Sequence, residues 1–144
     1  MVQTIREVLA QAVLYSDDYR YRFIKLPANA IMAAAGVVAA AANPFTALIV
    51  DKDEVTLMLD ESDYQDYQQR LIEHQVSAIS YRLITFDVEL EPTLVGFMAH
   101  ISSALAQAKI SILPYAAYSR DHLFVAEADF EKAMSILRQL QPTN

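Results

Sequence analysis

The sequence has no cysteine, and only two of its 144 residues are glycine. Without cysteine there is no disulfide scaffold, no thiolate zinc site and no cysteine nucleophile. Gly36 and Gly96 lie sixty residues apart and cannot build a phosphate-cradling loop, so nucleotide hydrolysis is not expected. Long hydrophobic runs are also lacking. The longest is thirteen small or apolar residues from Ala30 to Ala42. A membrane span needs roughly twenty, and alanine is only weakly apolar, so the run predicts a buried helix. Basic residues are few. The 11 Lys and Arg against 18 Asp and Glu give a net charge of −7, which repels phosphate backbones and anionic membranes and argues against both as partners. Arg6 and Glu7 interrupt the apolar pattern at the start of the sequence, unlike the core of a secretion signal, and the expected location is cytoplasmic.

The remaining composition is that of a folding chain, with 54% hydrophobic and 20% charged residues. Ile5, Val8, Leu9, Ala12 and Val13 recur at helical spacing over residues 4–15 and predict an amphipathic helix on the outside of a sheet. "YRYRFIKLP", residues 19–27, alternates like a half-buried strand. The alanine-rich segment follows and ends at Asn43 and Pro44, a common helix exit. "FTALIV" and "VTLMLD" flank the polar turn Asp51 to Glu54 and predict a hairpin. Asp60 is the expected N-cap of a helix over residues 61–73 that carries Tyr64, Tyr67, Leu71 and Ile72 on one face.

The second half repeats this order. Residues 79–90 form the longest strand candidate, apolar on both faces and therefore central. A helix over residues 93–108 sets Leu94, Phe97, Met98, Ile101 and Leu105 on one side, with Thr93 as its expected N-cap. "ISILPYAAY" and "DHLFVA" predict a second hairpin, and "DFEKAMSILRQL" a last amphipathic helix. "LMLDESDY" and "LFVAEADF" correspond at a constant offset of 66 residues, pairing Leu57 with Leu123, Glu61 with Glu127, Asp63 with Asp129 and Tyr64 with Phe130. Such self-similarity points to tandem βαββα units.

Three stretches of the second half carry a family resemblance: "LITFDVELEPTLVGFMAHISSAL", "AKISILPYAAY" and "SRDHLFVAEADFEKAMSIL". Together they resemble the ACT domain, and the pair of units resembles the tandem-ACT, CASTOR-like small amino-acid-binding proteins. The resemblance implies an α+β fold of two tandem ferredoxin-like units with antiparallel sheets and helices packed on one face. The expected division is an N-terminal helix over residues 1–18, a divergent first unit over 19–78 and a second unit over 79–144. In that family a ligand lies where the first loop and helix start meet the second strand. Here this implies Leu94, Val95, Gly96, Ile112, Leu113 and Pro114 as wall, with Tyr118 and Asp121 above. The first half lacks a glycine at its helix start and has Val55 where Asp121 stands, so a second equivalent site is not expected.

An amino acid needs an acceptor for its ammonium, donors for its carboxylate and a pocket for its side chain. A helix start offers unpaired backbone N–H groups. Gly96 leaves space there, and Asp121 or Glu91 can accept from the ammonium. Plain structural roles are open to the same residues: Gly96 can serve close helix packing, Asp121 can close a turn, and Tyr118 can sit in water.

Catalysis finds no constellation. Asp121 and His122 are strand neighbours that face opposite ways, so they do not form an acid–base dyad. His74, His100 and His122 show no metal-ligand spacing, and Ser102 and Ser103 lie mid-helix without a nucleophile elbow. The reading is a non-enzymatic regulatory or sensor protein that binds an amino acid. It uses no cofactor, forms a homodimer and passes its signal to a regulated partner protein. The alternative is an assembly protein whose sheets pair edge to edge around an empty pocket.

Overall fold

A computed structural model of the chain describes residues 2–41 and 45–143. The expected helix exit at Asn43 and Pro44 lies outside them. Helix α1 (Ile5–Gln11) leads to strand β1 (Val13–Tyr15), β2 (Tyr21–Pro27), α2 (Ile31–Ala40), β3 (Ala47–Val50), β4 (Glu54–Asp60), α3 (Glu61–Tyr67) and β5 (Gln75–Val76). Then come β6 (Tyr81–Asp87), α4 (Phe97–Gln107), β7 (Ile112–Ala116), β8 (Asp121–Ala126) and α5 (Phe130–Leu140). The fold is α+β, with antiparallel strand pairs and helices covering one face in each of two units. One unit is Tyr19–Tyr81. The other joins Met1–Asp18 to Arg82–Asn144.

In the Tyr19–Tyr81 unit the strands run in the order β5, β2, β4, β3. Ile24 opposes Leu57 and Leu26 opposes Val55, so alternate residues of both strands face the same layer. Ala34 and Val37 of α2, Tyr64 of α3 and Leu71 cover them. Asp60 caps α3 as expected, its Oδ2 accepting from the backbone N–H of Ser62 at 3.0 Å and of Asp63 at 3.3 Å. Asp51 closes the hairpin turn by accepting from the N–H groups of Asp53 and Glu54.

Two expectations change here. The alanine-rich helix is not buried: it lies on one face of the sheet and sinks only Ala34 and Val37, leaving Ile31 and Met32 exposed. The helix expected over residues 61–73 stops at Tyr67, and after a 3-10 turn Ile72 is exposed rather than part of its apolar face.

In the other unit the order is β1, β6, β8, β7. Strand β6 is central, as its two apolar faces indicate. The N-terminal segment is not one helix to residue 15. Ala12 turns extended, and Val13, Leu14 and Tyr15 pair antiparallel with Asp87, Phe86 and Thr85. Rather than standing apart, it supplies the edge position that β5 fills in the first unit. Its Val8 and Leu9 join Ile84, Phe86, Phe97, Ile101, Leu105, Leu123 and Leu137 in the core. A capping box fixes the start of α1: Thr4 Oγ1 accepts from the Glu7 N–H, and Glu7 Oε2 accepts from the Thr4 N–H, both at 3.2 Å.

The repeat also locates the main difference between the units. Strands β2 and β6 begin 60 residues apart, at Tyr21 and Tyr81, whereas "LMLDESDY" and "LFVAEADF" stand 66 apart. The extra length lies between first strand and first helix, where residues 28–30 suffice in one unit and residues 88–96 are used in the other.

Candidate ligand site

The longer loop ends in Gly96, whose φ of +87° lies in the left-handed region that suits glycine. Helix α4 therefore starts at Phe97, not at Thr93. Thr93 is no N-cap, because Pro92 and Thr93 sit within a turn that the Leu94 N–H closes on the Glu91 carbonyl at 3.0 Å. The first helical bond runs from the His100 N–H to the Gly96 carbonyl at 2.9 Å. No side chain among the described residues caps this helix. The N–H groups of Phe97, Met98 and Ala99 thus lack intrahelical partners, and these three residues line a cavity of about 480 Å³.

The loop over this cavity is tied down from two sides. Gln3 and Glu91 bond reciprocally, the Gln3 N–H reaching Glu91 Oε2 at 3.3 Å and the Glu91 N–H reaching Gln3 Oε1 at 2.9 Å. Gln3 Nε2 donates to the Glu89 carbonyl, and the Leu90 N–H donates to the Ser119 carbonyl at 2.8 Å. Across the cavity stands the turn of the β7–β8 hairpin, closed by the Ala117 N–H on the Arg120 carbonyl.

Of the residues expected at the site, Glu91, Leu94, Gly96, Tyr118 and Asp121 line this cavity. Val95, Ile112, Leu113 and Pro114 do not. Val95 is 86% exposed beside the left-handed turn. Ile112 packs against the core, and Leu113 and Pro114 pair with Phe124 and Leu123. The cavity opens at the Ala116 end of β7, and at about 3.3 Å per residue the strand's beginning lies too far away. Tyr118 is fully exposed at the rim.

Arg120 and Ser119 line the cavity but were not singled out in the sequence. Arg120 Nε donates to Asp87 Oδ1 at 2.8 Å, which holds the guanidinium at the rim. The signal for it was present in "SRDH", where a hairpin turn sets a cation next to Asp121. The Asp121 carboxylate has no hydrogen-bond partner among the described residues. Burial raises its pKa above the ordinary 3.8, with His122 opposing. Burial lowers the pKa of His122, partly offset by Asp121 and reinforced by Arg120. Its Nδ1 lies 2.8 Å from Thr85 Oγ1 on β6. No cluster of three His, Asp or Glu suited to a metal occurs among the described residues, and no described helix is long and apolar enough to cross a membrane.

Residues 76–139 match the family model of the ACT domain. They form an ACT domain. Every residue lining the cavity belongs to this ACT domain, while Gln3 braces it from the N-terminal segment. A solved Vibrio cholerae protein of unknown function, described as a possible transport protein, is 27% identical, covers 92% of this chain and 93% of its own, and has a TM-score of 0.68. The ligand-free regulatory subunit of aspartate kinase from Thermus thermophilus is 13% identical, with coverage of 91% and 97% and a TM-score of 0.68. A protein from Agrobacterium tumefaciens is 20% identical, with coverage of 92% and 95% and the same TM-score. The last two likenesses establish the fold alone. A comparison with curated proteins finds no match.

Proposed function

We propose that the protein binds a free amino acid in the cavity between the start of α4 and the β7–β8 turn, and that it acts as a regulator rather than as an enzyme. One observation carries this reading. The uncapped N-terminus of α4, the Arg120 guanidinium and the Asp121 carboxylate surround one space whose floor is apolar through Leu94, Phe97 and Met98. That is the complement of a zwitterion with an apolar side chain. Helix N–H groups and Arg120 take the carboxylate, and Asp121 takes the ammonium.

Occupancy draws the loop of residues 88–96 and the hairpin turn together and shifts the population towards a closed arrangement, which a partner chain reads. Strands β3 and β7 end their respective strand orders, and Ile49 and Val50 of β3 are about half exposed, a surface suited to a second copy of the chain. Thermal unfolding with each proteinogenic amino acid at millimolar concentration tests the reading. At least one raises the melting temperature of the native chain and fails to raise that of Asp121→Asn. If none does, the cavity is empty in function and the assembly reading stands in its place.

A further inference from the structure

A second cavity of about 680 Å³ shares no residue with the first. It lies in the helical layer, between Ile5, Arg6 and Leu9 of α1, His100 of α4 and residues 139–143. Its walls are set by local bonds. Gln141 Nε2 donates to the Leu9 carbonyl at 3.0 Å and to the Ala12 carbonyl at 2.7 Å, which pins the chain beyond α5 against the end of α1. Ile5, Leu9, Leu140 and Pro142 give the cavity an apolar lining.

Its charge runs against that of the chain as a whole. In a sequence with 18 acidic and 11 basic residues, the lining holds Arg6 and His100 and no Asp or Glu. Among the described residues neither Arg6 nor His100 forms an ion pair or a side-chain hydrogen bond. An uncommitted guanidinium and an imidazole over an apolar floor, with no acid to neutralise them, favour a ligand that brings both a negative charge and an apolar body. The volume falls within the range of small-molecule sites.

We infer that this cavity is a second ligand site, selective for a small organic anion with an apolar body whose carboxylate or phosphate is held by Arg6 and His100. Because it shares no residue with the amino-acid site, it stands whether or not that reading holds.

Benzoate, phenyl phosphate and neutral benzamide distinguish the possibilities in amide NMR titrations of the full chain. Benzoate or phenyl phosphate is expected to shift the amides of Ile5, Arg6, Leu9, His100 and Leu140, and the stronger of the two identifies the preferred head group. Arg6 is exposed and forms no ion pair or side-chain hydrogen bond among the described residues, so Arg6→Gln stays folded. It weakens the bound anion about tenfold or more, as loss of a charge-assisted hydrogen bond does. His100→Gln weakens it less, and Asp121→Asn leaves it unchanged. Benzamide binding as tightly as benzoate, unchanged affinity in Arg6→Gln, or no shift with either anion at about 10 mM overturns the inference.

Discussion

Gly96 is required by its backbone rather than by crowding. A methyl group added there meets only Ile5 Cδ1, at an ordinary 3.7 Å, yet the residue sits at φ +87°. Gly96→Ala is therefore expected to cost about 1–2 kcal/mol, the price of left-handed backbone in an alanine. Urea unfolding measures it, and a variant as stable as the native chain would disprove the backbone account. The sequence marked this glycine as unusual but set it inside a helix, because Thr93 after Pro92 has the chemistry of a cap. Nothing local reveals that the Leu94 N–H closes a turn first. Asp121 and His122 add a pH dependence with opposed signs. His122 has its pKa depressed below 6.5, so folded stability is present above 6.5 and lost as pH falls towards the depressed value. Asp121, with its pKa raised above 3.8, gives stability that is lost as pH rises from 3.8 through the raised value. Urea midpoints followed from pH 7 downward should show the first loss in the native chain and its absence in His122→Gln. An unchanged slope in that variant would place the titration elsewhere.

Helix α4 ends as unusually as it begins. Lys109 occupies the left-handed position after its last turn, at φ 61°, while the Ile110 N–H returns to the Leu105 carbonyl at 3.0 Å. Glycine normally fills that place. Lys109→Gly is accordingly expected to stabilise the protein by about 1 kcal/mol, read as a higher denaturation midpoint with an unchanged m-value. A lower midpoint would mean that the lysine side chain supplies more than the backbone loses. Elements of this length were legible in the sequence: α4 and α5 carry apolar stripes over several turns, and β6 is apolar on both faces. The short pairings were not. Strand β1 has three residues and β5 two, too few for a period, and they exist because β6 and β2 offer them an edge. The cavity was half legible for the same reason. Loop residues Glu91, Leu94 and Gly96 could be placed by their neighbours, whereas which end of β7 meets the start of α4 is a matter of tertiary packing.

The repeat at a spacing of 66 residues revealed two units, but it could not reveal that one of them is assembled from both ends of the chain. Ile5, Val8, Leu9 and Leu14 pack with a core otherwise drawn from Ile84 onward. Deleting residues 1–18 should therefore abolish the dispersed amide signals of Arg82–Asn144 and leave those of Tyr19–Tyr81. Retained signals from Phe97, Ile101 and Leu123 would show that the N-terminal segment is dispensable. The same interleaving has a consequence for biosynthesis. A ribosome makes Val13–Tyr15 early, yet the strand it pairs with begins only at Tyr81. All of Tyr19–Tyr81 emerges in between and is free to fold first. The apolar stripe of α1 must wait, uncovered, until Tyr81–Asp87 and the elements after it have been translated.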